Sequence, residues 1–124
     1  MPGLDKREIA EMDDGRAVLV YSTAPSRNVA EEIGRALVEE GLAACVNIVP
    51  GMVSIYRWEG TLHTDDEVVL LAKTRLANAA RVIAAIRERH PYEIPAIVVL
   101  PVAGGSRAFL DWIDAETAPR GDAG

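Results

Sequence analysis

The sequence predicts an α+β fold, with elements in the order β-α-β-β-α-β and one more helix at the C-terminal end. Three observations carry that prediction. Apolar residues recur at helical spacing in three segments, punctuated by a capping serine, a glycine or a proline. Short apolar and β-branched runs stand between and beside them. Two long extended runs, residues 43–58 and 61–74, are separated only by Glu59 and Gly60, a turn that joins them as one hairpin.

"AVLVYST", residues 17–23, is an apolar and β-branched run of the length of a buried strand. Ser26 caps the helix that follows, with Pro25 just outside it. Val29, Ile33, Ala36 and Leu37 fall on one helical face, while Glu31, Arg35 and Glu39 turn to water. Gly41 ends this helix as a left-handed stop. The first hairpin arm carries Met52, Ser54, Tyr56 and Trp58 on one face, with Val53, Ile55 and Arg57 on the other. Pro50–Gly51 interrupts the arm as a bulge or bend rather than a break. Residues 76–89 read as a helix with Leu76, Ala79, Ala80, Ile83 and Ile86 inward. The stretch "HPYEIP", residues 90–95, stops that helix, because proline fixes its own φ and drives the preceding residue out of the helical region. It turns the chain into a last strand over 96–102. Ser106 then caps a short helix bearing Phe109, Leu110, Trp112 and Ile113. This order is the split βαβ, or ferredoxin-like, sandwich. The expected organisation is a flexible N-terminal extension over 1–16, one ferredoxin-like domain over 17–117, and a flexible tail over 118–124.

Composition narrows the function classes. The net charge of −6 and the absence of a Lys/Arg cluster interleaved with aromatics argue against nucleic acid, whose non-specific affinity comes from basic side chains. The same balance argues against a polybasic membrane surface, and the apolar runs are too short to span a bilayer. A single cysteine, Cys45, excludes an intrachain disulfide and suits a reducing compartment, so a cytoplasmic location is expected.

The hairpin is too long for its own domain. An arm of about 14 residues at about 3.3 Å each reaches roughly 45 Å, whereas a domain of this size is on the order of 35 Å wide. The distal part carries Ile55, Tyr56 and Trp58, and a bare apolar edge of that kind invites association. A homo-oligomer follows, unless Pro50–Gly51 folds the run back into two short strands.

Four fragments in register, "AACVNIVPGMVSIYRWEG", "EVVLLAKT", "HPYEIP" and "FLDWI", resemble the CutA family of divalent-ion tolerance proteins. The resemblance covers residues 17–115. It implies a homotrimer assembled through the long hairpins, much like PII signalling proteins, and a role in tolerance of divalent metals, copper in particular. Two positions depart from the family pattern. Ala96 stands where many relatives have a glutamate, and Phe109 where many have a tyrosine.

Candidate site residues fall in two groups. Cys45, His90 and Glu67 are the candidate metal ligands. A thiolate suits Cu(I), but free cysteine often only packs, and no histidine lies at ligand spacing from Cys45. A Cys45 site within one subunit is therefore disfavoured against simple packing, and one assembled between subunits stays open. Lys73, His90, Tyr92 and Glu93 are the candidates for binding a small ligand. One reading places His90, Tyr92 and Glu93 in a cleft near Lys73 and Glu67. The other has His90 capping the helix carbonyls, where the macrodipole favours its charged form. Glu67 and Lys73 share a strand face but lie about 20 Å apart. The acidic stretch His63, Asp65, Asp66 and Glu67 reads as a solvated charge run. No cofactor is firmly implied beyond a divalent cation such as copper. The function expected is non-catalytic metal binding or response, with a PII-like small-ligand or interaction module as the alternative. A small enzyme using His90 and Cys45 ranks below both, because no base is placed beside the thiol and no glycine loop cradles phosphate.

Overall fold

The computed structural model describes residues 16–119, and within them the elements appear in the expected order. They are β1 (Ala17–Ala24), α1 (Arg27–Glu39), β2 (Cys45–Trp58), β3 (Thr61–Arg75), α2 (Ala79–Arg89), β4 (Ile97–Pro101) and α3 (Arg107–Thr117). The strands form one antiparallel sheet in the order β2-β3-β1-β4. This is the ferredoxin-like arrangement. Apart from residues 16, 118 and 119, the expected extension and tail lie outside the described residues.

Helices α1 and α2 cover one face of the sheet. Ile33, Leu37, Val82 and Ile86 pack against Val20, Leu70 and Ala72, all at most 1% exposed. Burial of each large aliphatic side chain contributes about 1.5–3 kcal/mol. Gly34 lets α1 approach β2 closely, since a Cβ there would stand 3.0 Å from the Val46 side chain. Ser26 caps α1 by accepting from the Val29 amide, and Ser106 caps α3 by accepting from Phe109. Gly41 takes the left-handed conformation at φ 71°.

Two helical faces differ from expectation. In α1 the buried set is Ala30, Ile33, Gly34 and Leu37, with Val29 and Ala36 only half-buried. In α2 the buried set is Ala79, Val82, Ala85 and Ile86, Ile83 is half-buried, and Ala80 faces water. The cause in α2 is its entry. Leu76–Asn78 form a 3-10 turn, and three residues at the tighter pitch rotate the following helix by roughly 60° relative to a continuous α-helix.

The hairpin is a single unbroken ribbon. β2 has 14 residues and β3 has 15. Val49 pairs with Val69 but Met52 with Glu67, so Pro50–Gly51 adds one residue as a bulge, with Gly51 at φ 86°. The reading in which this dipeptide splits the run is excluded. Glu59 and Gly60 both have positive φ, as a two-residue turn matched to strand twist requires.

The second face of the sheet carries Tyr21 from β1, Glu67, Val69, Leu71 and Lys73 from β3, and Val98 and Leu100 from β4. α3 reaches only the Lys73–Arg75 end, where Arg75 pairs with Asp114 at 2.6 Å and the Lys73 ammonium sits over the Phe109 ring. The loop after α2 covers Glu67 through Tyr92, and between these two ends the face is open. Beyond the bulge both sides of the ribbon stand in water, with Val53, Ile55 and Leu62 between 57% and 68% exposed.

Candidate functional site

The rigid turn after α2 builds the first part of the site. His90 ends the helix in an extended conformation, φ −87° and ψ 136°, as the following proline demands. Its ring turns away from the helix carbonyls. Nδ1 accepts from the Tyr92 amide at 3.2 Å, so Nε2 carries the proton and donates to the Thr23 carbonyl at 2.6 Å. Both ring nitrogens are thus engaged by backbone, and the side chain is 9% exposed. His90 ties the end of β1 to the loop and sets where Tyr92 stands.

Tyr92 reaches across to β3, where its hydroxyl donates to Glu67 Oε2 at 3.3 Å. Glu67 is 9% exposed, an unusual position for a carboxylate. Partial burial, then the Glu67 charge, pushes the Tyr92 phenol above its ordinary range. A second tyrosine–carboxylate pair stands on the hairpin. Tyr56 donates to Asp65, and that hydrogen bond is the first cause of its phenol being pushed up to about 12. The Tyr56 ring stacks on His63 with centroids 5.3 Å apart.

These groups wall an open groove of about 680 Å³ between the hairpin and the "HPYEIP" loop. Tyr21, Tyr56, Trp58 and Tyr92 line it, with Glu67 and Glu93, and Ala96 forms part of its wall. Among its described lining residues there is no lysine, arginine or histidine. Of the expected group, Glu67, Tyr92 and Glu93 line the groove, while His90 stands outside the lining with both ring nitrogens held by backbone.

Lys73 is not part of it. It pairs in register with Cys45, with Nζ 3.9 Å from Sγ, and lies toward α3 at the opposite end of the open face. The candidate metal ligands divide likewise, with Cys45 at one end and Glu67 and His90 at the other. Among the described residues, no three His, Cys, Asp or Glu side chains come together as a metal cluster.

The sequence reading missed the Tyr56–Asp65–His63 arrangement, having treated the acidic stretch as solvated charge. The signal lay in the turn. A two-residue loop at Glu59–Gly60 fixes Trp58 opposite Thr61, Tyr56 opposite His63 and Ser54 opposite Asp65. Tyr21 was also missed, because its place in the wall depends on β1 lying centrally in the sheet.

Comparison with known proteins gives a consistent result. The family described as CutA1 divalent ion tolerance protein matches residues 18–116. A divalent-cation tolerance protein CutA of Thermus thermophilus is 50% identical over 99 residues, which are 80% of this chain and 96% of that protein. A solved structure of the divalent cation tolerance protein from Thermus thermophilus superposes with a TM-score of 0.80 at 48% identity, covering 82% of this chain and 99% of that one. A chloroplastic CutA of Arabidopsis thaliana is 39% identical over 101 residues, 82% of this chain, and the match spans 56% of that relative's length.

Proposed function

The chain belongs to the CutA1 divalent ion tolerance family, and from that premise we propose that it acts as a non-catalytic homotrimer that binds divalent metal ions, copper among them, between its copies. The observation that carries the reading is the open sheet face. It presents a soft donor, Cys45, and a buried carboxylate, Glu67, on the same side of the sheet, yet among the described residues no set of three ligands closes around an ion. Thiolate suits copper and carboxylate suits harder divalent ions, so either donor needs partners from outside its own chain. The uncovered ribbon supplies a reason for other copies to be there. The names of the relatives support a non-catalytic role, since they are given for ion tolerance rather than for a reaction.

Isothermal titration of purified protein with Cu²⁺ tests this. Saturable heat is expected, weakened by Cys45→Ser or Glu67→Gln. Heat indistinguishable from buffer for the unaltered protein removes direct metal binding.

A further inference from the structure

We infer that His90 is a pH-sensitive latch, and that a second proton on its imidazole releases the "HPYEIP" loop from the sheet. The latch is built from contacts within one subunit. It rests neither on metal binding nor on the exposure of any surface that copies would share.

Among the described residues, positions 91–95 are held by the Tyr92 amide, which donates to His90 Nδ1 at 3.2 Å, and by the Tyr92 hydroxyl, which donates to Glu67 at 3.3 Å. The first is their backbone tie, and His90 Nε2 carries it on to the Thr23 carbonyl of β1 at 2.6 Å. A segment with so few ties lies at the low end of local stability. The ring bridges loop and sheet in one protonation state only. Neutral imidazole with its proton on Nε2 has one donor and one acceptor, and the bridge uses both. Imidazolium carries N–H at each nitrogen, so the Tyr92 amide meets a donor in place of a lone pair. With His90 9% exposed, water screens that opposition poorly.

The charged and titratable groups on the elements around the ring do not oppose the proton. β1 meets it through the Thr23 carbonyl and carries no charged side chain. The loop contributes Glu93 and Tyr92, whose ring centroid lies 4.8 Å away, and β3 contributes Glu67 beyond the Tyr92 hydroxyl. On α2, Arg87, Glu88 and Arg89 precede His90, and the Arg89 guanidinium is offset by Glu40 of the α1 end at 3.5 Å and by Glu88 at 3.9 Å. Of these side chains, only imidazole ordinarily changes charge between about pH 5 and 8. The docked loop requires the neutral ring and the released loop does not. Docking is therefore complete above that range and weakens as pH falls through it. Release withdraws Tyr92 from Glu67 and uncovers the carboxylate.

The test uses metal-free full-length protein carrying His63→Gln, which leaves His90 as the sole one of the chain's two histidines. Nitrogen-15 spectra at about pH 8 should report a neutral ring protonated on Nε2. Between about pH 8 and 5, hydrogen-exchange protection of the Tyr92 amide, corrected for the intrinsic rate, should fall at least about tenfold. Its midpoint should coincide with protonation of the ring, and protection of the Val20 amide in the central strand β1 should stay constant. His90→Gln, neutral at every pH, should abolish the step. A ring protonated on Nδ1 at the start, a ring still neutral at about pH 5, or Tyr92 protection unchanged while the ring titrates overturns the inference. So does a parallel loss at Val20, or a step that survives in His90→Gln. Should that variant not fold, the readings on the histidine-containing protein decide. With no metal present, failure here leaves the copper titration to be judged separately.

Discussion

His90 shows how a residue that looks like chemistry can be architecture. The sequence reading puts it in a cleft with Tyr92 and Glu93, but the ring lies outside the groove lining and its direction is set by the Thr23 carbonyl, 67 residues away. No local rule reaches that far. His90→Ala leaves the buried Thr23 carbonyl without its partner, at about 1–3 kcal/mol, and frees the part-buried Tyr92 amide to water. A loss of at least that size is expected in urea unfolding, and an unchanged midpoint would refute the role given to the ring. Tyr56 offers a second check. Its folded phenol is raised to about 12 from an ordinary 10, so the native state holds that proton more tightly than the unfolded chain does. The resulting contribution to stability is complete below pH 10 and is lost as pH rises from 10 to 12. Phenolate absorbance should show one tyrosine ionising near 12 in the folded protein. Asp65→Asn should move it back toward 10, because the Asp65 hydrogen bond is the first cause of the shift.

At the scale of elements, most of the architecture was legible. Caps at Ser26 and Ser106, the glycine stop at Gly41 and the hairpin turn are local chemistry, and the chain follows them. The inward face of α2 was less legible, because a short 3-10 entry changes its phase and apolar periodicity alone cannot register a change of pitch. The hairpin is the element with the strongest consequence. Ile55 is 68% exposed in the single chain, where a surface substitution ordinarily changes stability by no more than about 0.5 kcal/mol. Under the proposed assembly, Ile55→Asp buries a charge against a neighbouring copy and should yield smaller particles on sedimentation, with the circular dichroism of the subunit retained. A variant that sediments like the parent would mean the ribbon is not covered by another copy.

At the scale of the whole molecule, one sheet face is closed by α1 and α2, and the other is covered only at its Lys73–Arg75 end and where Tyr92 crosses to Glu67. A subunit built this way should be more stable assembled than alone. The thermal midpoint is therefore expected to rise with protein concentration, as mass action requires when unfolding is coupled to dissociation. A midpoint independent of concentration over a hundredfold range about the micromolar scale would count against an obligate oligomer. The sequence by itself determined the order of elements, their caps and turns, and a ribbon longer than the domain beneath it, since all of these follow from neighbours in the chain and from rise per residue. Only the tertiary structure decided which candidates meet. Strand order brings Glu67 to Tyr92 and leaves Lys73 with Cys45, and the pairing of β1 between β3 and β4 adds Tyr21 to the groove. Such meetings depend on contacts between residues far apart in sequence, whose geometry is fixed by the packing of the whole sheet rather than by any segment of it.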